Sequence, residues 1–454
     1  MLTIKTDSRK VVAGDTFVAI KGHTVDGHDY IEKAIANGAT RIVCEHGEYP
    51  VETIIVKNSS LWLQNELVTK YSDLVNEMTL VGVTGTNGKT TTCFLVYQLL
   101  KELGVKVAYM GTIGFYCGEL KEELPNTTPE IVDVYNYILK AKEMGATHFI
   151  MEVSSHALSF DRVAGLKYSV EAFTNLTEDH LDYHKTMENY LKAKLLILDK
   201  LKSDGVIIVN KDDAYSNYFM TKEHMTIGFN ECDYKALSYT ENNTGMDISF
   251  TYKNISYTAH TNLRSRFNVY NYLTCLAICK ALGFDINDLL NASLKIYPPH
   301  GRCESINVGN AHAVIDYAHT PDAVEKIIDA FLENKSGNVI TIVGCGGDRD
   351  PMKRPIMGDI ATKKSDYVIF TNDNPRTEEP ENIMKDILAG VKNDNYCVIY
   401  DRKDAILKGL SMLQDNDTLL ILGKGHEDYQ IIGHTKHHFD DTEIVLEYLK
   451  TQEH

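Results

Sequence analysis

Along most of the chain, short apolar runs alternate with longer stretches whose apolar residues recur every three or four positions. From about Leu80 the runs are TLVGVTG (79–85), HFIMEVSS (148–155), VEAFTNL (170–176), GVIIVN (205–210), AVIDYAH (313–319), NVITIVGCGG (338–347), DYVIFTND (366–373) and DTLLILGKG (417–425). Runs that are apolar at nearly every position belong to strands covered on both faces, and the intervening helices supply the cover. The pattern predicts an α/β protein built on parallel sheets. The segment before Leu80 is smaller and richer in turns. A second break falls at Tyr297-Pro298-Pro299-His300-Gly301, where paired prolines after a helical stretch read as a linker. Three domains are expected, 1–78, 79–299 and 300–454, a number that suits 454 residues.

The first apolar run leads into Gly85-Thr86-Asn87-Gly88-Lys89-Thr90-Thr91, and a helical stretch follows. Strand, glycine-rich loop and helix together form a phosphate loop. Glycines let backbone N–H groups close around phosphate oxygens, and the helix N-terminus adds its dipole. Lys89 can bridge the β- and γ-phosphates, and the Thr90 hydroxyl can hold Mg2+. The spacing is shortened, since the common loop would place a glycine where this chain has Val83. ATP as co-substrate is the expectation.

Charge limits the partners. With 63 acidic and 46 basic residues the formal net charge is −17, which argues against nucleic acid or an anionic membrane. Anionic substrates would need a local basic cluster or a metal ion. No apolar stretch reaches the roughly 20 residues of a membrane span, and the polar start MLTIKTDSRK leads us to expect no leader peptide. Nine scattered cysteines fit reduced thiols and a cytoplasmic chain. Cys275 and Cys279, one turn apart, read as a buried helix face.

Other chemistry follows the strands. Glu152 ends one of them, where a parallel sheet presents ligands, and a carboxylate there suits Mg2+. In Thr174-Asn-Leu-Thr-Glu-Asp-His180-Leu-Asp182-Tyr-His184 the imidazoles and carboxylate admit zinc, but a polar loop is the better reading, because no distant ligand completes a site. Lys192 and Lys194 lie on a probable helix, where a lysine is ordinarily solvated. Asn271 admits a helix cap. Toward the C-terminus, Gly346-Gly-Asp-Arg349, Asp373-Asn374-Pro375-Arg376 and Gly423-Lys-Gly-His-Glu427 each follow a strand. Three charged loops at one carboxyl edge are the expected place for a ligand. Arginine there can hold a carboxylate in a two-pronged grip. The early loops Thr6-Asp-Ser8 and Lys21-Gly-His23-Thr24-Val25-Asp26 are polar and reveal nothing more by themselves.

The shortened loop and these blocks, spread over nearly the whole length, resemble the Mur ligases, in particular the UDP-N-acetylmuramoyl-tripeptide synthetases. The resemblance implies a small N-terminal α/β domain, a central P-loop ATPase-like domain and a C-terminal Rossmann-like domain. ATP would activate a carboxylate as an acyl phosphate, and an amine would displace the phosphate. It further implies that His180 helps place a second Mg2+ and that Lys194 carries a CO2-derived carbamate that ligates metal. Arg302 would meet the ATP phosphates, Asp316 the ribose and Asn271 the adenine. Thr6, Ser8, His23, Thr24, Val25, Asn126, Thr127, Thr128, Ser154 and Arg162 would hold the UDP-N-acetylmuramoyl-dipeptide. Asp-Asn-Pro-Arg would mark acceptance of meso-diaminopimelate, with Arg349, Asp373, Asn374, Pro375, Arg376, Gly423 and Glu427 around it. The chain departs from the family at His300, where proline is usual, and at Phe160, where some members have glutamine. A monomer is expected. The alternatives are a lysine-adding ligase, another carboxylate–amine ligase, or a nucleotide-regulated scaffold.

Overall fold

The computed structural model describes residues 2–22, 25–220, 223–242, 244–333 and 335–452. The chain divides into two compact units, Met1–Ile227 with Thr274–Leu289, and Gly228–Leu273 with Leu290–His454. His23 and Thr24 lie outside the described residues.

The first unit opens with a four-stranded parallel sheet of Ile4–Lys5, Thr16–Val18, Arg41–Cys44 and Glu52–Ile55. Phe17, Ile31, Ala34, Ile42 and Cys44 are buried on it together. A larger sheet follows in the order His224–Gly228, Leu201–Asn210, Tyr168–Phe173, Thr79–Thr84, His148–Glu152, Val107–Gly111, Gly114–Cys117 and Leu120–Glu122. All neighbours are parallel as far as Val107–Gly111, and the last two strands run antiparallel. Val83 pairs with both Glu152 and Ala172. This register sets the strand ends before Gly85, Val153 and Thr174 along one edge. The helix Lys89–Glu102, buried from Thr90 to Leu100, runs back from that edge. As the apolar pattern requires, both faces of the sheet are covered.

The second unit contains an antiparallel meander, Tyr234–Asn242, Gly245–Tyr252 and Ile255–Thr261, which the apolar-run pattern did not indicate. Its second hairpin turns through Lys253 and Asn254, both at positive φ (51° and 62°), the conformation of a tight two-residue hairpin turn. A six-stranded sheet follows in the order Glu304–Val308, Ala311–Asp316, Thr418–Leu422, Val339–Val343, Tyr367–Phe370 and Tyr396–Val398. Only its first pair is antiparallel. Helices Pro321–Leu332, Lys353–Lys364, Pro380–Leu388 and Arg402–Met412 connect the parallel strands, giving the Rossmann-like arrangement expected. Cys275 and Cys279 are buried in the helix Arg266–Ala281.

One buried ion pair ties this sheet's carboxyl edge to the last helix. Arg402 Nε and Nη2 donate to Asp441 Oδ1 and Oδ2 at 2.8 and 2.7 Å, and both side chains are fully buried. Nη2 also donates to the Leu422 carbonyl, immediately before Gly423. Truncating one partner strands the other charge in the interior. Arg402→Leu should therefore lower the unfolding free energy by about 3–5 kcal/mol in urea denaturation, and adding Asp441→Leu should recover much of that loss.

Candidate active site

Thr84 hands the chain to Gly85 at φ 147°, where a Cβ would lie 1.9 Å from Thr174 Oγ1. Only glycine fits. Thr174 Oγ1 donates to the Asn87 carbonyl at 2.6 Å. The amide N–H of Asn87 donates to Asn175 Oδ1, and that of Thr86 to the Asn175 carbonyl, at 2.9 and 2.8 Å. Gly88, at φ 84°, is the N-cap of the helix, and Thr90 and Thr91 are buried in its first turn. Lys89 Nζ donates to the carbonyls of Gly85 and Thr86 at 2.9 and 2.8 Å.

Glu152 is fully buried. Its Oε1 accepts from Tyr109 Oη at 2.7 Å and from the Thr112 amide at 2.8 Å. Its Oε2 accepts from Thr90 Oγ1 at 2.9 Å and Thr112 Oγ1 at 3.2 Å. A Cβ at Gly111 would meet Oε1 at 2.1 Å, so a small residue there makes room for the carboxylate. Thr90 and Glu152 thus bring together hard oxygen donors of the kind Mg2+ takes.

Lys194 is not on a solvated helix face. It is 1% exposed, and its Nζ donates to the same Gly85 carbonyl at 2.7 Å and sits 4.6 Å from the Tyr190 ring centre. Burial, with the Lys89 charge nearby, pushes its pKa well down. Lys192, in contrast, is exposed and paired with Glu188 at 2.6 Å. His180 adopts left-handed backbone at the start of the short helix Leu181–His184, so the block is a loop over 174–180 that ends in one helical turn. His184 shares a hydrogen bond with Ser155 Oγ at 2.9 Å and stacks on Tyr190. His156, 5.0 Å from the His180 ring, is pushed down to about 4 by burial and then by His180.

A cavity of about 520 Å³ in the first unit is lined by Thr6, Ser8, Val25 and Arg162, together with Lys33 and Gln64. Arg162 Nη1 donates to the Thr128 carbonyl at 3.1 Å, Nη2 pairs with Glu130, and the guanidinium lies over Phe160. Thr128 Oγ1 donates to the Glu152 carbonyl at 2.8 Å and accepts from the Ser154 amide. Ser154 Oγ caps the helix Ser155–Ser159. Thr127 Oγ1 meets Thr112 Oγ1 at 3.0 Å, and Asn126 is exposed. Through Thr128 and Glu152 the cavity wall is wired to the phosphate loop.

In the second unit, Asn374 organises the carboxyl edge. Its Nδ2 donates to Glu427 Oε2 at 2.8 Å, its Oδ1 accepts from the Ile431 amide at 2.9 Å, and its carbonyl accepts from Gly347. Arg376, at φ 52°, donates from Nη1 to the Gly347 carbonyl at 2.8 Å. A Cβ at Gly347 would lie 1.9 Å from the Pro375 carbonyl oxygen, and one at Gly423 would lie 2.7 Å from Asp373 Oδ2. Lys424 is buried, donates to the Tyr429 carbonyl and lies 3.5 Å from Glu427. Arg349 is exposed. The three predicted loops therefore form one network, joined by the hairpin Tyr429–His438, which sequence reasoning missed.

Nearby, the Arg302 guanidinium lies 4.6 Å above the Tyr317 ring, and its Nε is buried without a partner among the described residues. Asp316 accepts from the amides of Cys303 and Ala318 at 2.8 and 2.9 Å, while burial pushes its carboxyl up. Asn271 is no cap. It is buried within the helix Arg266–Ala281 and donates to Asn268 Oδ1 at 2.8 Å. His300, where proline was the family expectation, bridges Glu304 and Asp440 at 2.9 and 3.0 Å.

The chain matches three family models in succession: Mur ligase family, catalytic domain, over residues 3–74; Mur ligase middle domain over 83–279; and Mur ligase, glutamate ligase domain over 301–425. The chain belongs to the Mur ligase family. Among its relatives is the UDP-N-acetylmuramoyl-L-alanyl-D-glutamate–2,6-diaminopimelate ligase of Clostridium botulinum, 39% identical over 98% of this chain and 95% of the relative. An enzyme of the same name from Clostridium acetobutylicum is 40% identical over 98% and 94%. A solved structure of such a ligase, 31% identical, superposes with a TM-score of 0.71 over 99% of this chain and 95% of that one. The ADP complex of MurF ligase from Thermotoga maritima, at 21% identity, shares the fold with a TM-score of 0.68, covering 99% and 97%.

Two predictions follow from these environments. CO2 addition, which the family resemblance implies at Lys194, would turn this buried amine into an anionic oxygen ligand of the kind Mg2+ takes. With 13C-labelled bicarbonate, the protein should show a carbamate carbon resonance that Lys194→Arg lacks, together with loss of turnover at saturating Mg2+. Full activity of the arginine variant would refute this role. His300, held by Asp440 and Glu304, is pushed up to about 10. Its stabilisation is complete below the unfolded value near 6.5 and is lost as pH rises through about 10. His300→Gln should therefore show a shallower fall of Tm from pH 7 to 10 than the parent.

Proposed function

We propose that this chain is an ATP-dependent ligase joining meso-2,6-diaminopimelate to the D-glutamyl γ-carboxylate of UDP-N-acetylmuramoyl-L-alanyl-D-glutamate, with release of ADP and phosphate, in peptidoglycan precursor synthesis. The observation that carries the reading is the Asn374–Glu427–Arg376 network in the second unit, in a chain that also holds a phosphate loop. The named activity of its relatives supports it.

The division of labour follows the sequence: 1–78 with the UDP-precursor, 79–299 with ATP, 300–454 with the amino acid. The ends of the three matched family regions fall within these limits. Loop amides from Gly85 to Thr91 and the Lys89 ammonium receive the ATP phosphates. Mg2+ would be held by Thr90, Glu152, His180 and a Lys194 carbamate, and would offset phosphoryl charge. Carbamate formation needs a neutral amine, and the burial of Lys194 favours that form. Arg302, Asp316 and Asn271 are assigned to ATP by the resemblance, and the orphaned Arg302 Nε is a donor suited to a phosphate oxygen. Thr6, Ser8, Val25 and Arg162 line a cavity of a size suited to part of a nucleotide-sugar. The γ-carboxylate attacks the terminal phosphorus, ADP leaves, and the amine then displaces phosphate from the acyl carbon. No protein nucleophile is required. We place the enzyme in the cytoplasm, where ATP is supplied, and infer that it works as a monomer.

Arg376 chooses the amino acid. Diaminopimelate carries a far carboxylate that lysine lacks, and a fixed guanidinium facing lysine's ammonium adds repulsion to the lost pairing. A lost charged hydrogen bond of this kind is worth roughly 2–5 kcal/mol, so a preference of about 30-fold or more is expected. Values of kcat/KM for both amino acids, with parent and Arg376→Ala, are the check. The variant should lose diaminopimelate use selectively. Equal use of lysine by the parent, or equal loss of both in the variant, would show the specificity assignment to be wrong.

A further inference from the structure

The Tyr317 ring is a hub at the carboxyl edge of the second unit. Arg302 lies on it, and His319 and His426 pack against it with ring centres 4.5 and 4.8 Å away. The backbone forces this proximity. A Cβ at Gly301 would lie 2.1 Å from the His426 amide nitrogen, and one at Gly425 would lie 2.6 Å from Tyr317 Cβ. His426 immediately precedes Glu427, which Asn374 holds in the amino-acid loop network. It therefore stands where the Arg302 cluster and the amino-acid loops meet.

His319 and His426 differ in their bonding. His319 Nδ1 is satisfied by the Tyr317 carbonyl at 2.8 Å. His426 Nδ1 is buried with no hydrogen-bond partner among the described residues. A buried polar atom left unpaired beside a ligand site calls for a functional explanation. The charged and titratable groups around His426 include Tyr317, Arg302, His300, His319 and Lys424. Burial, followed by the Arg302 charge, pushes His426 down to about 3, so the ring is neutral before substrates bind. Arrival of anionic phosphate and carboxylate groups would raise that value toward the working range.

We infer that His426 is a catalytic residue that accepts the ammonium proton of the incoming amino acid and so frees the attacking lone pair. This deepens the ligase reading and rests on it. The ammonium proton passes to the imidazole. The freed lone pair forms the C–N bond to the acyl carbon, and the carbonyl π pair moves onto oxygen. The carbonyl then re-forms as the C–O bond to phosphate breaks, phosphate departs with that electron pair and takes the second N–H proton, and the imidazolium returns its proton to solvent.

The test pairs two nucleophiles on the full-length enzyme with ATP and UDP-N-acetylmuramoyl-dipeptide. Diaminopimelate must shed an ammonium proton, whereas hydroxylamine is uncharged at neutral pH and traps the acyl phosphate as a hydroxamate. His426→Gln should lower amide formation about 100-fold at pH 7. Hydroxamate formation should fall by no more than a few-fold, and the amide deficit should shrink as pH rises toward the amine's own range. Equal loss of both products, a deficit independent of pH, or near-normal amide formation would each overturn the assignment. If the parent enzyme forms neither product, the ligase reading itself fails and the inference falls with it.

Discussion

Two lysine side chains donate to one carbonyl oxygen. Lys89 and Lys194 reach Gly85 from the loop helix and from a helix more than a hundred residues further on, at 2.9 and 2.7 Å. Lys194 is buried and Lys89 half-buried, and two such cations repel each other. Their arrangement has two chemical consequences. It favours the neutral amine at Lys194, the form that can combine with CO2, and leaves the Lys89 ammonium to favour an anion. Phosphate binding and the chemistry at Lys194 are thus one electrostatic problem solved at one point.

The surrounding structure holds that point in place. Gly85 can occupy its position only without a Cβ, because Thr174 Oγ1 fills the space. Thr174 and Asn175 then fasten Asn87 and Thr86, so the strand Tyr168–Phe173 determines the shape of a loop that belongs to its neighbour. On the other side, Glu152 spends its hydrogen-bonding capacity on Thr90, Tyr109 and Thr112. Its own carbonyl holds Thr128, whose carbonyl in turn steadies Arg162 at the cavity wall. The phosphate loop and the cavity wall therefore share one hydrogen-bonded framework in the first unit.

Much of this was legible in the chain because parallel strands buried on both faces are apolar at nearly every position, and their ends locate ligand loops. Gly85–Thr91, Glu152 and the three C-terminal loops were found that way. The meander Tyr234–Thr261 was not, because strands such as Tyr234–Asn242 and Ile255–Thr261 mix polar with apolar residues and lack a continuous run. By residue type and helical setting Lys194 looks like Lys192; the family resemblance singled it out, and the fold shows its amine buried while that of Lys192 is exposed. The clamp by Thr174 and Asn175 and the hub at Tyr317 arise from contacts between distant segments, which periodicity does not encode. Asn271 shows the reverse limit, since a residue type suited to capping proved to lie in a helix interior. His300 recovers by two ion pairs a restraint that proline would have provided covalently.

The central claim is that these groups form a ligase in which sustained turnover of ATP requires carboxylate and amine together. Phosphate release measured with ATP alone, with UDP-N-acetylmuramoyl-dipeptide added, with diaminopimelate added, and with both tests it most directly. Sustained release is predicted only when both are present, with one amide formed per ATP consumed. Release at an undiminished rate from ATP alone, or without matching amide, would contradict it.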